Sequence, residues 1–354
     1  MPEPMVTAEL KGLHVEAGTR PDAVEARARE LLAELPADAP PWMSAWAWLA
    51  LGACGLARTD VRLALESLAT ATESFGAAHD DEGLLAALVL LVNAWVLVGD
   101  RPEARLTAGR ALRLARRLGA KATEARLLVN LAYTHGEDDD AISYEMLTQQ
   151  ALDIFTTLGD QRAMAHCHVN LGGALTRSKQ WSEARQHYDR AERLCRNADS
   201  PYIEALLWAG RGGLAVALGD WETALGMYAE SNRRLTAQGR DYQRLRQEWL
   251  LGRDLLALGE LELAASRLTM MVAEAGVAGY NGLVASAHET LAALRSAQGD
   301  AAQAAMHQGC AEEARAAASA RSVGAELGPP SLVAAVARAR SALSALRSGS
   351  TDSP

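Results

Sequence analysis

Apolar and small residues recur along this chain in a frame of 40 residues. Leu51, Leu91, Leu131, Leu171, Leu251 and Leu291 share one column, with Arg211 as the exception. Gly52, Val92, Ala132, Gly172, Gly212, Gly252 and Ala292 follow directly. A second set holds Ala64, Ala104, Tyr144, Ala184, Ala224, Ala264 and Ala304. Four residues on stand Leu68, Ala108, Thr148, Tyr188, Tyr228, Leu268 and Gln308, and three further Ala71, Ala111, Ala151, Ala191, Ser231, Met271 and Ala311. Steps of four and three put one large and two small residues on a single helical face. Small residues on both helices let the backbones approach closely, so a bulky side chain at Gly172 or Ala184 would overpack the contact.

The polar punctuation keeps the same frame. Asp60, Asp100, Asp140, Gln180, Asp220, Glu260 and Asp300 form one column, and Gly99, Gly219, Gly259 and Gly299 stand immediately before it. Glycine takes the left-handed conformation that closes one helix, and the following Asp accepts the free N–H groups that open the next. Gly119, Gly159, Gly239 and Gly279 mark the other helix ends. Each 40-residue repeat is therefore predicted to hold two helices and two tight turns.

Composition agrees with helix. Ile occurs three times and Phe twice, and only Pro102 and Pro201 lie between Trp42 and Gly328, each where a first helical turn is expected. No segment alternates with period two, so no strand is expected. Lys+Arg 35 against Asp+Glu 44 gives a net charge of −9, which argues against general nucleic-acid binding. Cys54, Cys167, Cys195 and Cys310 form no C-x-x-C pair and read as reduced thiols of a cytoplasmic protein. The N-terminus carries no apolar leader segment, and the most apolar stretch, Leu84 to Gly99, is shorter than a bilayer span of about 20 residues. It is expected to be a buried helix of a soluble chain.

These columns resemble the tetratricopeptide repeat, with its W-x2-L-G-x2-Y, A-x3-F/Y and A pattern. Trp48-x2-Leu51-Gly52, His168-x2-Leu171-Gly172, Ala184-x3-Tyr188-x2-Ala191 and Ala224-x3-Tyr228 carry the resemblance, as does the twelve-residue step from Gly172 to Ala184. It covers residues 42–320 as seven repeats, with an extra helix near Pro21–Glu34 inside an N-terminal segment 1–41. The period exceeds the usual length of about 34 residues. The step within each repeat is standard, so the six additional residues are placed between the second helix and the next first helix. Long repeats of this kind are similar to those of bacterial regulatory solenoids. The resemblance implies an all-α, right-handed α-solenoid of about seven helix-turn-helix repeats, a stack in which neighbours supply the core that one pair lacks.

On each first helix, positions five before, one before, two after and six after the Leu fall opposite the core face. The resemblance assigns that face to a concave groove. Through the repeats it carries Trp46; Asn93; Arg126, Asn130, Tyr133 and Glu137; His166, Asn170 and Arg177; Arg246 and Arg253. In clamp-type tetratricopeptide domains Asn and Lys/Arg at such places hold a peptide backbone and a carboxylate. Asn93, Arg126, Asn130, Asn170 and Arg253 match by position, while the usual clamp lysines are missing. The candidate partner-binding set is Asn93, Arg126, Asn130, Tyr133, His166, Asn170, Arg246 and Arg253. Asn both donates to and accepts from an extended backbone, and Arg grips a carboxylate, so an acidic segment of a protein or peptide is the expected partner. Arg211 either reaches into the groove or marks a weak repeat.

Other candidates read as structural. The run Glu137-Asp138-Asp139-Asp140 coincides with a turn and lacks calcium-loop spacing. His166 and His168 diverge by about 200° on a helix and cannot chelate together, so no metal is expected. Arg105, Arg110, Arg113, Arg116, Arg117 and Lys121 read as a solvated convex stretch, and Trp181 and Trp221 as packing. No catalytic constellation or phosphate-binding loop is present, so neither enzymatic activity nor a cofactor is expected. After Gly328-Pro329-Pro330 a last helix, residues 329–347, reads as a cap on the repeats. Insertion into the groove and self-association of two chains remain open to it. Residues 348–354 read as a disordered tail. The expected function is a non-enzymatic scaffold holding a partner's peptide or helix. The alternative is a sensor that binds a small molecule or signalling peptide and controls a partner in transcription or signalling. Neither nucleic acid nor a membrane is an expected direct partner.

Overall fold

The computed structural model describes residues 9, 12–18, 20–36, 39–58, 60–98, 100–136, 141–278, 280–320 and 332–348. Among them all regular structure is helical. The first of the long helices is α1 (Pro21–Glu34), at the place expected for the extra helix. First helices of the repeats are α2 (Pro41–Ala57), α4 (Asp81–Val98), α6 (Lys121–Gly136), α8 (Gln161–Arg177), α10 (Pro201–Ala217), α12 (Asp241–Leu258) and α14 (Asn281–Ala297). Second helices are α3 (Val61–Ala77), α5 (Arg101–Arg117), α7 (Ala141–Leu158), α9 (Trp181–Ala198), α11 (Trp221–Ala237), α13 (Leu261–Ala278) and α15 (Ala301–Ala320). The last is α16 (Leu332–Ser348). Among the described residues no helix is long and apolar enough to cross a membrane.

The chain divides into two units, residues 1–134 with 319–354, and residues 135–318. Within each, successive helices pack as sequential pairs, and first helices of neighbouring repeats also touch directly: α2 on α4 in one unit, α8 on α10, α10 on α12 and α12 on α14 in the other. Within each unit these first helices thus lie side by side as a layer.

The turn chemistry follows the frame. Carboxylates of Asp60, Asp100, Asp160, Asp220 and Asp300 accept from the third backbone N–H of the helix each one opens, at 2.9–3.2 Å. Gln180 departs from its column and makes no such bond. Gly119, Gly159, Gly219, Gly239, Gly259 and Gly299 have φ of 63–83°. Gly99, Gly279 and the run Glu137–Asp140 lie outside the described residues.

The six additional residues do not form a longer linker. Only Asp199 and Ser200 separate α9 from α10, and the extra length is spent on helix, the helices of these pairs running 16–18 residues. Helix costs less than loop here because each added turn buries another apolar row against its neighbours.

The packing columns close around the missing glycine side chains. A Cβ on Gly52 would stand 2.6 Å from Leu68, on Gly172 2.5 Å from Tyr188, on Gly212 2.8 Å from Tyr228, and on Gly252 2.6 Å from Leu268. Where the first-helix position is larger the partner is smaller, as in Val92 with Ala108. The column fails in the last repeat, where Gln308 is exposed. Trp46, placed on the groove face by periodicity, is buried edge-on against Phe75 at 5.0 Å and beside the His14 ring. Trp181 is 41% exposed rather than packed, whereas Trp221 lies against the core of Tyr228, Leu251 and Leu255.

Helix α16 belongs to the first unit and lies on α3, instead of forming the terminal layer of the last repeat. Ala335, Ala339, Ala342 and Leu343 are buried. Arg340 reaches Asp100 at 2.5 Å and Glu103 at 3.5 Å, Arg338 reaches Glu73 at 3.4 Å, and Arg110 donates to the Leu343 carbonyl at 2.6 Å. Residues Gly328–Pro330 and the tail 349–354 lie outside the described residues.

Candidate functional site

The first-helix layer carries the polar positions that the frame singles out. In the first unit, Asn130 on α6 donates to the Asn93 carbonyl oxygen on α4 at 3.1 Å, so two consecutive first helices meet through their side-chain amides. Arg126, one turn earlier on α6, is exposed, and its guanidinium donates to the neutral Thr123 hydroxyl at 3.2 Å. Tyr133 is half-buried on the same helix.

In the second unit, Asn170 is buried on α8 and His166 is half-buried one turn before it. Burial, with the charge of Arg162 adding to it, lowers His166 to about 4, so its imidazole is neutral at pH 7. On α12, Arg246 is half-buried, while Arg253 is exposed and lies over the Trp249 ring at 5.5 Å. The Trp249 indole N–H in turn donates to Thr290 on α14 at 3.0 Å, which fixes the ring beneath that cation. Beside Arg253, Asp254 accepts from the Tyr228 hydroxyl at 3.1 Å, and burial raises its carboxyl pKa against the pull of Arg253. The eight positions therefore fall into two groups, one per unit.

Arg211 neither enters a groove nor marks an empty position. It bridges to Asp189 and Glu192 on α9, both at 2.8 Å, holding α10 to the second helix of the preceding repeat. The basic stretch of α5 is likewise engaged with the fold. Arg105 donates to the Thr134 carbonyl at 2.8 Å, Arg117 pairs with Asp81, Arg116 and Lys121 hold the buried Glu124, and Arg110 takes α16. Those charges clip neighbouring helices together.

A contact that periodicity along one helix does not reveal lies across the helix pairs. His168 meets His187, Nδ1 to Nδ1, at 3.0 Å, and His288 meets His307 in the same way at 3.1 Å. Burial and the neighbouring His187, Arg190 and Arg193 lower His168 to about 4. The signal was present in the frame, since the two pairs occupy the same positions 120 residues apart. Among the described residues no group of three or more His, Cys, Asp or Glu side chains is arranged to hold a metal.

No family model matches this chain, and no curated protein matches it in sequence. Solved structures share its fold. A Rap protein complexed with competence and sporulation factor superposes with a TM-score of 0.61 at 13% identity, over 90% of this chain and 100% of its own. NprR in complex with its cognate peptide NprX gives 0.64 at 16%, over 87% and 89%. Aspartyl phosphate phosphatase F from Bacillus subtilis gives 0.51 at 10%, over 93% and 98%. The chain thus has the tetratricopeptide-type helical repeat fold of these structures across most of its length.

Proposed function

We propose that this protein is a regulatory sensor whose first-helix layer takes a short extended peptide, and that the bound peptide alters the packing of the helix pairs and so the protein partner held elsewhere. The Asn93–Asn130 hydrogen bond carries the reading. Two side-chain amides presented together offer the alternating donors and acceptors that an extended backbone requires, and a peptide can replace their mutual bond without loss. Arg126 stands one turn away and donates to the neutral Thr123 hydroxyl, so a ligand carboxylate would give it a stronger, charge-assisted bond. Tyr133 supplies an aromatic face beside them. In the second unit His166, Asn170, Arg246 and Arg253 repeat the combination of amide and cation. A similar fold, that of NprR, has been solved with its cognate peptide bound, which supports a peptide over a protein surface as the ligand. The sensor acts by binding alone, without an enzymatic step, and an acidic peptide fits the cations of the layer in an otherwise acidic chain.

The test is selection from a displayed library of short peptides on the full chain and on the double variant Arg126→Ala/Asn130→Ala, with helicity checked by circular dichroism. The expected result is enrichment of peptides bearing a carboxylate on the unmodified protein and its loss, by roughly tenfold or more, on the folded variant. Equal enrichment on both would refute the assignment.

A further inference from the structure

Positions eight and twenty-seven of the 40-residue frame face each other across helix pairs of the second unit. Three repeats show the contact: His168 with His187, His288 with His307, and Glu248 with Arg267 as an ion pair at 3.6 Å. Four of the eight histidines of the chain fall on these two positions, as two matched pairs. A neutral His–His pair makes only one N–H···N bond, a weaker complement than the Glu–Arg pair at the same place, so packing alone gives little reason for histidines at the more open pair, His288 with His307.

Metal chemistry gives one. Two imidazole nitrogens bound about 2.0–2.1 Å from one ion, at angles between right and tetrahedral, stand about 2.8–3.4 Å apart. Both pairs have that separation. We propose that His288 and His307 clamp a divalent transition-metal ion of the nickel, copper or zinc class between α14 and α15 through their Nδ1 atoms, with water completing the coordination. Both rings are half-exposed, which leaves room for the waters. The ion displaces the bridging hydrogen, and the ring that carried it takes the tautomer protonated on Nε2, so no net proton is released. Glu289 beside the site is engaged with Arg315, and Arg295 is the cation facing His307. The His168–His187 pair remains a plain hydrogen bond. His168 is only 7% exposed and leaves no space for water ligands, and Arg190 and Arg193 set positive charge against a cation.

The test is calorimetric titration of the full, tag-free chain with Ni2+ and, separately, Zn2+ near pH 7.5, alongside thermal unfolding. One saturable equivalent per chain is expected for Ni2+, with weaker binding of Zn2+. It should vanish in His288→Gln and in His307→Gln and persist in His187→Gln, and the rise in Tm on adding metal should follow the same pattern. Gln retains hydrogen bonding but is a poor ligand, so a folded His307→Gln variant separates the clamp from a merely structural pair. Absence of saturable binding to the unmodified chain, or its survival in His307→Gln, would overturn the proposal.

Discussion

The Tyr188 ring is the sharpest place to perturb the repeat packing. It is 1% exposed and lies in a slot between Gly172 on α8 and Gly210 on α10. A Cβ on Gly172 would stand 2.5 Å from Cε1 and 2.8 Å from Cδ1, and one on Gly210 2.7 Å from the same Cε1. Ordinary carbon contacts are about 3.5–4.0 Å, so the ring would have to move by about 1 Å with glycine backbone on both sides. Gly172→Val should therefore cost about 2–3 kcal/mol by overpacking, only slightly offset by a helix propensity gain of about 0.4 kcal/mol. Gly226→Ala on α11 is the control. Nothing lies within 4 Å of its would-be Cβ, so it should stabilise by about 0.5–1 kcal/mol. Combining Gly172→Val with Tyr188→Ala reproduces the natural Val92–Ala108 pairing, and the double variant should be less damaged than the sum of the singles by about 1–3 kcal/mol. Urea unfolding followed at 222 nm measures all four. A Gly172→Val variant within about 0.5 kcal/mol of the unmodified protein, or a coupling of zero, would refute the reasoning.

Further outcomes follow from the same structure. His168 is held neutral when folded, with its pKa near 4 against about 6.5 unfolded. The unfolded chain therefore binds the extra proton between those values. Stability should fall as pH drops from about 6.5 to 4 and level off below, by up to about 3 kcal/mol from this group, and His168→Asn should flatten that slope in urea midpoints. Arg211→Leu restores the apolar column while releasing Asp189 and Glu192 to solvent, and denaturation should show a change within about 1 kcal/mol. Leu343→Ala, at a buried contact of α16, should cost about 2–5 kcal/mol and raise proteolysis of the C-terminal helix. Removing the cap in Asp160→Ala should cost about 1 kcal/mol in the same measurement.

Local chemistry made the helix ends legible, because an Asp cap and a left-handed glycine each act within a few residues of themselves. The frame outlasts that chemistry. His79, Lys179 and Asp199 adopt φ of 53°, 59° and 42° at turns where glycine is lacking, so stacking imposes the turn even without its preferred residue. Contacts spanning elements were harder to read. Helix α16 docks on α3, where Leu65, Ala69 and Thr72 are buried, whereas the column of Leu65 holds Arg105, Glu145 and Arg185 in the next three repeats. That exception was visible in the sequence, but not which helix would cover it. The histidine pairs escaped because metal spacing was sought along one helix, where i and i+2 diverge, and not across nineteen residues of frame. The amide pair of Asn93 and Asn130 was placed on one face by periodicity alone, since both lie on first helices at fixed offsets from the core Leu.

Amide hydrogen exchange across the whole chain tests the frame most directly. Turns recur at positions 79, 119, 159, 179, 199, 219, 239, 259 and 299, so protection should dip at each of them and rise between them over one helix at a time. Protection that ignores this twenty-residue rhythm, or fast exchange through the interiors of α8 to α12, would contradict stacked helix pairs and the binding face proposed on them.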